Sequence, residues 1–496
     1  MPEQTIPEVR PKASLSSIIA KNTVFVTLGN LALKGLNFIF SVYVIRSLGD
    51  ERFGQYSIVL AFVGIFQIFA ELGVSQYVRR EIARDRTKAE GMVWNLLAIR
   101  LLLGLIGIVG ITAAAQAAGY APILVVGIFI YTCGFILSAI DMPLDTILWA
   151  NERLDYLSAM NVAAQIVFII FGALFLFSGL SFVWLIVASL ISILPRIGVG
   201  LFAVKRHHLI KPSIQLNPRL WGGLVRAGIP FGLISLALTI DYSVDTLMLE
   251  RFVTDNEVGW YNVAYALARN LLFFFSGFSV AMVPSLSRTY VEDKPAVERW
   301  YYRSVKFIVM SSLPLAAGGM LVAFPLIRFL YTDQFLPSAY ALRIIIWDVP
   351  FIMFASFCGN MTTVIAEDKS AARDYMVSAL ANIVLNLLFI PRYGYLGASA
   401  VTVATDIVIS IQFYSLLKRK LHLPDIKPVV FKTAVAAAVM GSVVAWAGDL
   451  NLFLLIGLGG AVYTMMVFAL RLLDHDERSM IARFVLLPLK RIAESR

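Results

Sequence analysis

Asn22–Arg46, NTVFVTLGNLALKGLNFIFSVYVIR, decides how this chain is read. It is apolar and long enough to cross a bilayer, which takes about 20 residues. Yet Lys34 stands almost at its middle. An ammonium at that depth costs roughly 2.5–3.5 kcal/mol, so it must face protein or water rather than lipid. Thr23, Thr27, Asn30, Lys34, Asn37 and Ser41 recur at steps of three and four, which draws one polar stripe along the helix. A stripe of this kind calls for a second wall, with usable space between the two.

The rest of the chain supplies the wall. Of its 496 residues 59% are hydrophobic and 15% charged, the balance of a polytopic membrane protein. Hydropathy places spans at 22–46, 55–75, 93–116, 122–148, 158–178, 181–204, 222–249, 259–283, 304–330, 338–365, 375–391, 395–417, 429–447 and 451–471. Alternate connecting segments, with the termini, carry 29 Lys and Arg, whereas the opposite set carries only Arg46, Arg52, Arg251, Arg328 and Arg392. Such a bias puts both termini in the cytoplasm, in a multi-pass protein of the cytoplasmic (inner) membrane. The net charge of +10 thus belongs to orientation signals and lipid headgroups, not to nucleic acid. Cys133 and Cys358 fall inside spans and imply no disulfide.

The sequence also repeats. Asp50-Glu51-Arg52-Phe53-Gly54-Gln55-Tyr56 follows the first span, and Asp255-Asn256-Glu257-Val258-Gly259-Trp260-Tyr261 follows the seventh. Asp, Gly and Tyr match at a constant offset of 205. A looser match sets Ala150-Asn151-Glu152-Arg153 beside Ala366-Glu367-Asp368-Lys369. Two six-helix lobes in the same orientation follow: a cytoplasmic segment 1–21, lobes 22–212 and 213–420, two further spans within 421–471, and a tail 472–496.

Polar residues concentrate on the first two spans of each lobe. Asn30 and Asn37 join Gln67 and Glu71 from span 2, Thr239 from span 7, and Asn262 and Tyr265 from span 8 as expected cavity walls. Lys34 and Arg269 are the deeply placed cations, opposite Thr239 and Gly64 in the repeat register. Either they meet an anionic substrate group, phosphate being the natural match, or they pair internally with Glu71, Asp241 or Asp245. Asp241 and Asp245, four apart, and the single acids Asp348 and Asp406 are the candidates for ion coupling, with Asp348 and Asp406 free to pair with Arg343 or with each other. Asp145 is expected at the surface, and Arg100, Arg196, Arg226 and Lys432 are expected to snorkel to the nearer face. Gly228, Pro230, Gly232, Pro314 and Pro350 mark packing kinks or hinges. No phosphate-binding loop, zinc helix, serine elbow or metal-spaced Cys/His cluster occurs, so the chain reads as neither an enzyme nor a holder of metal or cofactor.

Asp245-Thr246-Leu247-Met248-Leu249 through Glu257-Val258-Gly259-Trp260-Tyr261-Asn262-Val263-Ala264 resembles the seventh-span Asp, turn and G-x-Y-x-x-A of a known family. Gly394-Tyr395-Leu396-Gly397-Ala398-Ser399-Ala400 resembles its turn between spans 11 and 12. The family is that of the polysaccharide-type (Wzx-like) lipid-linked oligosaccharide flippases, in the multidrug/oligosaccharidyl-lipid/polysaccharide (MOP) exporter superfamily. The resemblance covers essentially the whole chain. It implies an all-α, two-lobed transporter that carries a polyprenyl-pyrophosphate-linked glycan from the cytoplasmic to the outer leaflet by alternating access, on a proton or sodium gradient. It implies Lys34 and Arg269 as pyrophosphate ligands, and glycan-assembly proteins and membrane lipids as partners. In the peptidoglycan-precursor branch spans 13 and 14 form a groove for the lipid tail, and this chain has both spans. The rival readings are a cation-coupled drug exporter on the same fold, a membrane glycan polymerase or glycosyltransferase, and a scaffold for glycan assembly.

Overall fold

The computed structural model describes residues 15–209, 215–272, 286–290, 292–448, 450–474 and 477, with backbone alone for 15–32, 234, 237, 238, 241, 242 and 368. The side chains of Asn30 and Asp241 therefore lie outside the described residues. Among the described residues all regular structure is helical: α1 (Leu15–Phe66), α2 (Ile68–Glu71), α3 (Val74–Arg84), α4 (Ala89–Ala117), α5 (Pro122–Ala150), α6 (Leu154–Phe177), α7 (Phe182–Ile191) and α8 (Ile193–Arg206). Then follow α9 (Trp221–Phe252), α10 (Asp255–Asn270), α11 (Lys294–Leu321), α12 (Ala323–Leu330), α13 (Ser338–Ile345), α14 (Asp348–Val364), α15 (Asp368–Lys418), α16 (Lys427–Trp446) and α17 (Leu452–Ala469). Helix is what such apolar segments must form, because lipid offers the backbone no hydrogen-bond partner. Among the described residues eight helices are long and apolar enough to cross a membrane, and α13 with α14, bent by 44°, makes a ninth.

Two of the long helices hold two spans each. Span 1 passes into span 2 at Gly49 (φ 75, ψ 174), and span 11 into span 12 at Gly394 (φ 56, ψ −139). Side chains exclude the first of these backbone states, so a glycine breaks the helix there without a loop.

Span 2 differs from its expected continuous course over 55–75. The helix stops at Phe66, makes one turn as α2, and is redirected by two successive left-handed residues, Leu72 (φ 48) and Gly73 (φ 69), into α3. A leucine in that region is strained by roughly 1–2 kcal/mol, so its surroundings must hold it.

The second repeat register also changes. The helix ends at Glu152 (φ 59) and Ala366 (φ 59) are built alike: Arg153 N–H donates to Leu148 O and Glu367 N–H to Thr362 O. These positions lie 214 residues apart, two away from the register that residue identity suggested. Turn geometry fixes the equivalence here, because the residues are exposed and free to differ.

Extensive packing runs within two groups, spans 3 to 6 with α1 and spans 9 to 12 with α10. Between the groups, α1 and α3 meet α9 and α10. α16 lies against α11 and α17.

Candidate substrate and ion sites

A cavity of about 1770 Å³ lies between the two groups. Its wall is largely apolar and takes residues from spans 1, 2, 5 and 6 on one side and 8, 9 and 10 on the other. It continues between α11 and the last two helices, where Met440, Val444 and Tyr463 line it. Lys34, Asn37 and Arg269 all stand in this wall. Pro314, Gly318 and Gly319 keep the α11 side low, since they carry little or no side chain into the space.

The cavity is closed where the repeat turns meet. A Cβ on Gly54 would stand 1.9 Å from the carbonyl oxygen of Asp255, and one on Gly259 would stand 2.3 Å from that of Asp50. Around this backbone contact Gln55 donates to Asp255 (3.0 Å) and Trp260 donates to Asp50 (3.0 Å). Those four residues are the offset-205 counterparts of one another, so the contact has the reciprocity of a two-fold interface. Arg46 adds two hydrogen bonds of 2.5 Å to the carbonyls of Leu330 and Phe329.

At the other, basic end, glycines again allow backbone to touch backbone. A Cβ on Gly73 would meet Gly232 N at 2.3 Å and Gly228 O at 2.4 Å. Gln76 donates to Ser235 beside them (3.0 Å). Gly228 and Gly232 thus serve close approach to the break in span 2.

Asp245 sits in a nest of donors. Tyr261 gives it its hydroxyl (2.7 Å), Thr402 its hydroxyl (2.9 Å) and Asn386 its amide (2.6 Å), while Asn386 also donates to Asn382 (3.0 Å). The carboxylate is 3% exposed. Together with the carbonyl oxygens of Asn382 and Asn386 it forms an oxygen-rich site suited to a proton or to a hard cation such as Na⁺. Asn382 and Asn386, four apart on span 11, and Thr402, four before Asp406 on span 12, were not singled out in the sequence, although that spacing was itself the signal.

Asp348 and Asp406 both stand beside Arg269. The guanidinium lies 3.9 Å from each carboxylate. It also packs over the ring of Tyr265 at 4.8 Å, an interaction worth about 0.5–2 kcal/mol. Arg343, the other expected partner, stacks on Phe324 instead.

The expectation that Arg100 and Arg196 snorkel is overturned. Arg100 is 6% exposed, donates to Ser75 (2.9 Å) and Ser138 (3.3 Å) and pairs with Glu71 (3.6 Å). Arg196 donates to both oxygens of Asp141 (3.0 Å each) and to Asn161, and pairs with Asp145 (3.6 Å). Asp145 is not a free surface group, since Arg79 holds it at 2.6 Å. A buried arginine needs such partners, because an unpaired charge there costs several kcal/mol.

Other expected wall residues do not line the cavity. Glu71 is turned to Arg100, Gln67 is exposed at the break, and Thr239 bonds the carbonyl of Ser235. Asn262 accepts from Thr246 (3.1 Å), and Tyr265 stacks on Tyr261 as well as on Arg269.

A seam between two helix groups over a cavity, with an oxygen-lined nest around Asp245 to one side, is the arrangement of a membrane transporter, and the comparisons with known proteins place the chain in the MOP superfamily. The chain belongs to the polysaccharide biosynthesis protein family, whose pattern it matches over residues 19–290, and it also matches the MatE family over 230–388. Among curated relatives it is 21% identical to the probable low-salt glycan biosynthesis flippase Agl15 of Haloferax volcanii, over 77% of this chain and 80% of that one. Among solved structures it resembles the lipid II flippase MurJ in an inward closed conformation, with a TM-score of 0.74, 15% identity, and 93% of this chain and 100% of that one covered. An inward-facing multidrug resistance MATE transporter of the MOP superfamily follows at a TM-score of 0.66 and 19% identity, with 78% and 94% covered.

Proposed function

We propose that this protein turns a polyprenyl-pyrophosphate-linked oligosaccharide from the cytoplasmic to the outer leaflet by alternating access, for cell-surface polysaccharide synthesis. The observation that carries this reading is the pair of cations, Lys34 and Arg269, set in a largely apolar cavity that runs on to the last two helices. An amphiphile with an anionic headgroup and a long hydrocarbon tail suits such a wall. Arg269 offers a fork to phosphate and Lys34 a point charge. Asn37 lies beside them; Glu71 and Asn262 tie together the surrounding helices, and Thr239 and Tyr265 make contacts within their own.

In this reading the lobes 22–212 and 213–420 rock about the seam, spans 13 and 14 take the tail, and the basic end with both termini is cytoplasmic. The driving ion is a proton or Na⁺ moving in antiport, with Asp245 its principal site and Asp241, Asp348 and Asp406 accessory candidates. Reconstitution with a defined lipid-linked glycan and an imposed ion gradient tests the proposal. Lys34→Ala and Arg269→Ala should insert normally and fail to flip; wild-type flipping in both variants would sink it. The MatE match over 230–388 favours a second reading, small-molecule export, which a drug-resistance assay separates.

A further inference from the structure

Asp348 and Asp406 are 1% and 5% exposed, on span 10 and span 12. One guanidinium stands beside both of these buried carboxyls. Its single positive charge balances one carboxylate, and a second left ionised would be an uncompensated buried charge, so the pair keeps one proton. With Arg269 at 3.9 Å from both, the trio holds two carboxyls, one proton and one guanidinium, and is electrically neutral. Arg269 alone of the three also lines the cavity.

We propose that headgroup binding and proton uptake are coupled by a change of partner at Arg269: its guanidinium leaves the Asp348/Asp406 pair for the anionic headgroup, and the pair takes one proton from solvent in its place. This deepens the reading of Arg269 as a headgroup ligand and rests on it. The balance is simple. Departure of the guanidinium leaves one net negative charge at a buried site, where an isolated charge is costly. One proton restores neutrality, and it is released when the headgroup leaves and the guanidinium returns, so this proton travels with the headgroup and is distinct from the antiported ion assigned to Asp245.

The other ionisable groups on the surrounding helices keep their partners throughout. Asp245 on span 7 is held by Tyr261, Thr402 and Asn386. On span 9 Lys306 is bound to Asp474 and Glu477, and on span 11 Asp374 is bound to Arg373. Arg343 on α13 stays over Phe324, and Tyr265 on span 8 carries the guanidinium from below. The proton therefore falls to the pair.

The test is titration calorimetry of the purified protein with geranylgeranyl pyrophosphate at neutral pH, in two buffers of different ionisation enthalpy, which counts protons exchanged per ligand. We expect uptake of about one proton per ligand. The headgroup's own ionisation near cations releases protons, so it opposes this sign. Geranylgeraniol, which lacks the phosphates, should exchange none. The D348N/D406N variant should bind the pyrophosphate without uptake, while Asp245→Asn should keep it. Binding by the wild type without uptake, or uptake lost in Asp245→Asn and kept in D348N/D406N, overturns the coupling. Failure of the wild type to bind the pyrophosphate at all overturns instead the reading of the cavity. Should the double variant not fold, the comparison of the two ligands on the wild type decides alone.

Discussion

Gly54 and Gly259 occupy equivalent places in the two halves of the chain, and each lies against the backbone of the other's turn. The space left for a Cβ is 1.9 Å from Asp255 O on one side and 2.3 Å from Asp50 O on the other. Since real Cβ atoms do not approach so closely, the end of the seam is closed by backbone fit.

Gly54→Ala should therefore force the two turns apart, a strain of about 2 kcal/mol or more. Hydrogen exchange should rise over residues 50–56 and 255–261 together, because each turn loses the other. Faster exchange confined to one turn would refute a shared closure.

Arg100 grips both sides of the break in span 2, Glu71 before the left-handed residues and Ser75 after them. Arg100→Met should lower stability by about 3 kcal/mol, because it strands a partly buried carboxylate and releases the strained Leu72. Thermal unfolding in detergent reads the loss. Adding Glu71→Gln should recover part of it, since no charge is then left unpaired.

Asp245→Asn keeps the shape of the nest and removes its charge. The variant should fold, because Thr402 and Tyr261 retain an oxygen acceptor. It should lose the response of transport to an imposed ion gradient. Transport that still follows the gradient would exclude Asp245 as the coupling site.

At the basic end Lys420 approaches Glu367 to 2.6 Å. This contact, together with the hydroxyl of Ser370, holds the Glu367 carboxyl below its ordinary value of 4.5 and the Lys420 ammonium above 10.5. A lowered acid favours the folded state above 4.5 and loses that effect as pH falls through its folded value. A raised base favours it below 10.5 and loses it above. The turn at 366–370 should thus loosen below about pH 4 and in high salt, read by its hydrogen exchange.

Much of this was legible from residues alone. The offset of 205 between Asp50–Tyr56 and Asp255–Tyr261 pointed to a pair of equivalent turns, and these form the physical closure of the seam. Lys34 and Arg269, picked out by depth, do share a cavity. The break at Leu72 and Gly73 was hidden, since a single glycine within an apolar run is weak evidence for a turn. Arg100 and Arg196 were misplaced for a related reason. Distance from the end of a span gives depth but not direction, and their partners Glu71 and Asp141 come from other helices. The nest around Asp245 draws on spans 7, 8, 11 and 12, so its assembly is a product of packing that no single periodicity records.

Lys306 is 3% exposed, and the carboxylates that hold it, Asp474 (3.0 Å) and Glu477 (2.7 Å), lie 168 and 171 residues further along the chain. At about 5–20 residues per second, a ribosome takes roughly 10–30 s to make that distance. For that interval the newborn ammonium lacks these partners, so the buried pairing of α11 is a late event in synthesis that follows the making of α17.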